Sequence, residues 1–184
     1  YATGSVSGKT NVGGLIGSAQ DSGSGTLSVT NTYATGTVTG SDYAIGGLIG
    51  SSEAAAISKS YATGTIEGQY RLGGLIGSAV ANTKIEESYA TGNVSATAYE
   101  SDAGGLVGKL TGSILNSYAT GSVSGKTNVG GLVGQSLSGS SINNSYSIGK
   151  VISTYGSYVG GLIGKVAGTT ILNSFWDEQT SGIT

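Results

Sequence analysis

The chain of 184 residues has no cysteine, histidine, proline or methionine. Without Cys there is no disulfide, thiolate metal site or sulfur nucleophile, and without His no imidazole ligand or imidazole base. Charged residues are 10%, against about a quarter in ordinary soluble proteins. The net charge is −2, so nucleic acid and an anionic membrane find no basic footprint. No apolar run approaches the roughly 20 residues that span a bilayer. There is no signal peptide and no initiating Met, and the first residue falls inside a repeated word, so the chain reads as an excerpt of a longer protein with any targeting signal outside it.

Glycine is the one residue in excess, at 35. With no Pro and no Gly-X-Y period this is not collagen. Apolar content of 37% with little charge is not the pattern of a disordered chain either.

Tyr-Ala-Thr-Gly words set a register. Tyrosines stand at Tyr1, Tyr33, Tyr61, Tyr89, Tyr118 and Tyr146, with Phe175 in seventh place, at steps of 32, 28, 28, 29, 28 and 29 residues. Each unit continues into Gly-Gly-Leu-(Ile/Val)-Gly, as at Gly13 to Gly17 and Gly46 to Gly50, and closes with an aliphatic residue four before the next aromatic: Val29, Ile57, Ile85, Ile114, Ile142 and Ile171. Self-similarity at this period is the signature of stacked coils. Length varies at two places only, longest around Thr97 to Ser101 and around Gln20 to Thr26, as loops at fixed corners do.

The expected fold is an all-β parallel solenoid (β-helix), one domain of about six coils of roughly 28 residues with three short strands per coil. The coils are 1–32, 33–60, 61–88, 89–117, 118–145 and 146–174, with a C-terminal cap at 175–184. The strands are the Tyr word (Tyr33 to Thr39), the Gly-Gly word (Ile45 to Gly50) and the closing word (Ile114 to Ser117), because Thr, Val, Ile and Tyr favour pleated chain and Gly, Ser and Asn interrupt it. A helical turn is expected only at Glu53 to Ala56. Stacking aligns Val6, Val38, Ile66, Val94, Val123 and Val151, and likewise Leu15, Leu48, Leu75, Leu106, Leu132 and Leu162. Six coils at about 4.8 Å give a rod roughly 30 Å long.

Strict alternation puts Ala34, Gly36 and Val38 on one face and Tyr33, Thr35, Thr37 and Thr39 on the other. A break at the Gly would instead turn the Tyr ladder inward, so its facing stays open. Leu48 and Ile49 are adjacent and both face inward only if the Gly-Gly bends the chain. Phe175-Trp176 is expected to plug the C-terminal end, whereas the first coil shows no cap, which calls for a preceding domain or end-to-end stacking.

The phased Ser-Tyr-Ala-Thr-Gly, Gly-Gly-Leu-(Ile/Val)-Gly and Ile-x-Asn-Ser words resemble the GLUG-motif repeats of large bacterial surface proteins, and Asn173-Ser174-Phe175-Trp176-Asp177 resembles the segment that closes such arrays. The likeness covers essentially the whole chain. It implies a β-helical, non-catalytic region, found in adhesins and beside immunoglobulin-cleaving metallopeptidase domains, and hence an extracellular or cell-surface location. It carries no catalytic residue to this sequence.

Signals of chemistry are weak. Ser-Gly-Lys-Thr occurs at Ser7 to Thr10 and Ser124 to Thr127, but a phosphate loop needs Gly where Thr3 and Thr120 stand. Glu86 and Glu87 point to opposite faces of a strand, and Glu100/Asp102 and Asp177/Glu178 are the other close acids; glycoside hydrolysis needs two carboxylates facing across a substrate. Lys59 and Glu87 occupy equivalent places in adjacent coils and form a surface ion pair. Asn116, Asn144 and Asn173 form a corner stack of amides. No metal site and no cofactor are expected.

Two surfaces stand out as contact candidates. Tyr43, Tyr70, Tyr99, Tyr155 and Tyr158 all fall in the first corner, where an apolar ring with a hydroxyl suits glycan or protein; the bland alternative is that they shield the corner. Thr3, Thr35, Thr63, Thr91 and Thr120 form a ladder that, with a second rank, is the kind of lattice some ice-binding proteins use, though Thr also simply stacks well in strands. The reading is a non-enzymatic structural or adhesive segment of a bacterial surface protein. Its expected partners are a host or matrix glycan or protein, or another copy end to end, with no nucleic acid and no membrane insertion of this segment. The alternative is a true ligand-binding module, with glycan or protein on the Tyr corner or ice on the Thr face.

Overall fold

A computed structural model describes residues 1–21 and 27–183; the long corner at Gln20 to Thr26 lies mostly outside the described residues. The chain is an all-β solenoid of about six turns in which every strand pairs in parallel with its copy one coil away. Four stacks run the length of the rod. The Tyr sheet contains Tyr33–Ala34 and Tyr61–Ala62, and the Val sheet Val38–Gly40 and Ile66–Gly68. The Gly sheet contains Ile45–Gly46 and Arg71–Gly73. The closing sheet begins with Ile49–Glu53 and Ile76–Glu86 and takes in closing strands such as Ala55–Ser58.

Three strands per coil were expected; all three stretches are present, the first two subdivided and the closing one whole. Tyr33 to Thr39 breaks at Gly36, and Ile45 to Gly50 breaks at Gly47 and Leu48, so the coil of Tyr33 carries five short strands. No helix forms at Glu53 to Ala56. Ala54 is there a left-handed corner (φ 54°) between two strands, because an in-register neighbour supplies hydrogen bonds that a lone helical turn would lack. The only α-helix among the described residues is Glu178–Ser181, with Asp177 as its N-cap.

The alternation of the Tyr word holds. Ala34, Gly36 and Val38 are buried, Thr35, Thr37 and Thr39 are exposed, and Tyr33 lies outward and half-buried. The rings stack from Tyr1 through Tyr33, Tyr61, Tyr89, Tyr118 and Tyr146 to Phe175, with centroids 4.9–5.4 Å apart and planes within 6°. Between the two end rings, faces are spent on each other, and edges and hydroxyls meet water. Burial and the neighbouring phenols push the Tyr89 and Tyr118 hydroxyls above their usual range.

The Gly-Gly word folds the coil into itself. A Cβ on Gly46 would lie 2.0 Å from the Ile49 carbonyl oxygen and 2.6 Å from the Gly77 nitrogen of the next coil. The Gly and closing sheets thus lie backbone against backbone. The tip reaches the opposite wall, where a Cβ on Gly47 would meet the Ala62 methyl at 2.7 Å. Beyond the bend Leu48 and Ile49 are both fully buried, and both their N–H groups donate to the Leu75 carbonyl. The indentation splits the interior. One core joins Ala34, Leu48, Ile49 and Ile57, and the other joins Val38, Ile45, Ile66 and Leu72. Each fully buried aliphatic side chain contributes about 1.5–3 kcal/mol, but only once a neighbouring coil covers it.

A left-handed residue turns the chain before each Tyr word: Asn31, Lys59, Glu87, Asn116, Asn144 and Asn173, all with φ 47–54°. Asn tolerates this conformation and stacks as expected, with Asn144 Nδ2 donating to Asn116 at 3.2 Å and Asn173 Nδ2 donating to Asn144 at 3.2 Å. Lys59 and Glu87 lie 3.9 Å apart. The next residue is a serine after all but Asn31, and Ser60, Ser88, Ser117 and Ser145 are buried. Ser88 Oγ donates to the Glu86 carbonyl at 2.8 Å and accepts the Ser60 N–H at 3.1 Å, a pattern repeated at Ser117 and Ser145.

At the C-terminal end the expected aromatic plug is half realised. Phe175 continues the outer ring stack and is 57% exposed. Trp176 takes the inward place that Ala holds in earlier coils and Ser147 in the sixth, and lies over Gly161. Ile183 packs against the second core. Between them an apolar cavity of about 410 Å³ stays open, lined by residues such as Leu162, Ile163, Ile171 and Trp176.

Gly73→Ala is expected to cost about 3 kcal/mol or more, because its Cβ would fall 2.0 Å from the Ile76 oxygen. Gly4→Ala, with nothing within 4 Å, stays within about 0.5 kcal/mol; equal costs in urea unfolding would refute the packing argument. Replacing both Lys59 and Glu87 by Asn should raise stability by about 1 kcal/mol, since relief of left-handed strain outweighs a surface ion pair. A lower melting temperature would contradict this.

Candidate contact edge

The first corner joins the Val sheet to the Gly sheet, and its loop is short and irregular in each coil, so most of its side chains face out, though Ala44 and Ser101 are buried. Tyr43 and Tyr70 stack at 4.5 Å and 15°. Tyr99 meets Tyr155 edge to face at 4.9 Å, passing over the fifth coil, whose corner carries Lys126 instead of an aromatic. Tyr158 opens the Gly-sheet strand Tyr158–Gly160. The structure therefore groups the five tyrosines as two pairs and a single ring, all on one edge. Tyr43, Tyr99, Tyr155 and Tyr158 are 42–62% exposed, and Tyr70 is half-buried.

Each group carries a cation. Arg71 lies 5.1 Å from the Tyr43 ring centre, Lys126 4.5 Å from that of Tyr99 and Lys165 4.8 Å from that of Tyr158. Thr127 Oγ donates to the Tyr99 carbonyl and ties the two coils together. Such pairs gain roughly 0.5–1 kcal/mol at exposed sites and hold the cation beside the ring.

Behind the edge lies Asp102, 7% exposed. It follows Arg71 and precedes Asn128 in register. Asn128 Nδ2 donates to its carboxylate at 2.6 Å, and Arg71 Nε lies 3.9 Å away. Burial raises the carboxyl above its usual range, against lowering by Asn128, Lys109, Arg71 and Lys165. Glu100 is exposed on the loop, so Glu100 and Asp102 form no facing pair. Asp177 caps the terminal helix through Gln179 and Thr180, and Glu87 pairs with Lys59.

The Thr ladder lies on the opposite flank of the Val sheet. Thr3, Thr35, Thr63 and Thr91 are exposed and Thr120 is half-buried. Their register is fixed by backbone bonds such as Thr63 N–H to the Ala34 carbonyl at 3.0 Å. Ile148 takes the sixth place, and the rank two residues on reads Ser5, Thr37, Thr65, Asn93, Ser122, Lys150. The Ser-Gly-Lys-Thr at Ser124 to Thr127 ends a strand and enters a loop, with no helix behind it.

The cation beside each ring and the burial of Asp102 were not anticipated from the sequence. Tyr43 and Arg71, like Tyr99 and Lys126, belong to neighbouring coils, and Tyr158 and Lys165 stand on either side of the indentation of one coil, so the fold and not nearness in sequence brings them together.

The GLUG motif family matches at residues 41–67, 68–95, 99–124 and 125–152, more than half of the chain. The chain belongs to the GLUG-motif family. The matched unit starts at or near the first corner and takes in the indentation, the closing strand and the next Tyr and Val strands, so it holds the structural repeat in a different frame. A curated relative from Evansella cellulosilytica, described as a Gly-rich membrane protein, is 46% identical over 77 residues; the match covers 38% of this chain and 9% of that protein. No solved structure matches the GLUG-motif chain. No helix among its described residues is long and apolar enough to cross a membrane.

Between the unfolded carboxyl value and the raised folded one, the folded state holds the Asp102 proton more tightly, so this group's effect on stability turns less favourable as pH rises. Asp102→Asn is therefore expected to raise the melting temperature at pH 7 and to lose that advantage towards pH 4. A variant that is destabilised at pH 7 would show that the ionised carboxylate is a net asset.

Proposed function

We propose that this GLUG-motif solenoid is a non-enzymatic segment of a bacterial cell-surface protein, a rigid spacer whose Tyr-bearing corner makes adhesive contact with glycan or protein. The observation that carries the reading is the row of exposed tyrosines along one edge of a rod whose other polar groups are largely engaged in ladders. Tyr, with few rotatable bonds, an apolar ring and a hydroxyl, forms contact surfaces at small entropic cost. The description of the curated relative as a membrane protein supports a location at the cell envelope. Of the acids singled out from sequence, Glu87, Asp102 and Asp177 have structural partners.

The test is adhesion of the 184-residue chain to surfaces coated with matrix glycans and proteins, beside Tyr99→Ala and Tyr158→Ala. Retention of the parent, with about tenfold loss in the variants at equal melting temperature, supports the contact edge. Unchanged adhesion by the variants refutes it.

A further inference from the structure

Charge is unevenly placed round the coil. Five of the eight Lys and Arg (Lys9, Arg71, Lys109, Lys126 and Lys165) lie at the first corner, on the Gly-sheet strands or in the closing-sheet rank of Ser51, Ser78, Lys109, Gln135 and Lys165, with three acids, Asp42, Glu100 and Asp102. The rest of the chain has three Lys against seven Asp and Glu. An edge of net positive charge therefore runs along a chain that is net negative. The one acid buried within it is engaged by Asn128 and Arg71.

The cations are placed as a row. Arg71, Lys109 and Lys126 belong to the third, fourth and fifth coils and Lys165 to the sixth, and coils repeat at about 4.8 Å. Lys109 and Lys165 share one rank of the closing sheet with Gln135 between them. Arg71, Lys126 and Lys165 each stand beside an exposed tyrosine ring. A ring that holds its cation pre-organises it. A ligand that meets ring and cation together must carry an apolar CH face and an anion on one unit. A ligand that meets the whole row must be long and repetitive, as the corner is an open edge and not an enclosed cavity.

We propose that the Tyr corner binds an anionic polysaccharide, its sugar rings lying against Tyr99, Tyr155 and Tyr158 and its carboxylate or sulfate groups on Arg71, Lys126 and Lys165. This rests on the reading of the corner as the contact edge and adds the class of its ligand. Each unit binds weakly, and affinity comes from several coils engaging one chain.

The experiment uses the 184-residue chain on immobilised polygalacturonate, on a sulfated glycosaminoglycan and on neutral dextran. Retention is expected on one or both acidic polymers, weakening in roughly 0.5 M NaCl as exposed charges are screened, and absent on dextran. Which acidic polymer retains the chain names carboxylate or sulfate as the anion. The combined variant R71Q/K126Q/K165Q should lose about tenfold or more, while K59Q/K84Q/K150Q, equal in net charge, should bind as the parent does. Equal losses in the two variants overturn the proposal, as does failure on both acidic polymers. Equal retention on dextran, or adhesion that needs Tyr99 and Tyr158 but ignores the three cations, overturns it and leaves the contact edge standing.

Discussion

At Gly46 one added carbon would sit 2.0 Å from the Ile49 carbonyl oxygen, and the same collision recurs at Gly13, Gly73, Gly104, Gly130 and Gly160. None of these six glycines has positive φ. They are required by close approach of two backbones and not by conformational freedom. The rest of the coil follows from that approach. Because the word folds inward, Leu48 and Ile49 both enter the core. Because its tip reaches the opposite wall, the Tyr word carries only Ala or Ser beside it until Trp176 at the end of the rod. Because the interior is divided, a coil of about 28 residues is filled by Val, Ile, Leu and Ala, with no aromatic side chain among the described residues of either core.

Stacking identical coils makes every local choice count along the whole rod. Outside, the aromatic rings run in one parallel stack, and the corner asparagines share amide bonds. Inside, serines pass hydrogen bonds from coil to coil, so that a buried hydroxyl costs little. A chain that is only one-tenth charged thus resolves most of its polar groups in ladders. What remains at the surface is unlike itself from coil to coil: the first-corner loops, where Tyr, Lys and Arg replace one another. Variation confined to one edge of a regular scaffold is how repeat proteins place recognition.

Much of this was legible in the residues. The Tyr and Gly-Gly spacings gave the coils, their parallel register and the Val and Leu ladders. Alternation through Ala34, Gly36 and Val38 put Thr35 outside but left the facing of Tyr33 open, and the Lys59–Glu87 and Asn116–Asn144 neighbours followed from register alone. The indentation did not follow, because periodicity marks Leu48 and Ile49 as apolar without saying that the chain reverses between Gly46 and Gly50. The buried Ser60–Ser88–Ser117 ladder was in phase in the sequence, yet serine reads as punctuation unless its carbonyl partner two residues back is in view. At the contact edge the tyrosines were visible, but their cations were not, since corner loops of unequal length hide which residues face each other.

Cores, ladders and contact edge all require the Gly-Gly word to be the dry centre of each coil and not a surface turn. Hydrogen exchange of the backbone amides tests this directly. The paired N–H groups of Leu48 and Ile49, Leu75 and Ile76, and Leu106 and Val107, each pair bonded to one carbonyl of the next coil, should be among the slowest in the molecule. Exchange of these amides as fast as that of the first-corner loops around Asp42 and Tyr99 would contradict the inward fold on which the cores, the ladders and the contact edge all rest.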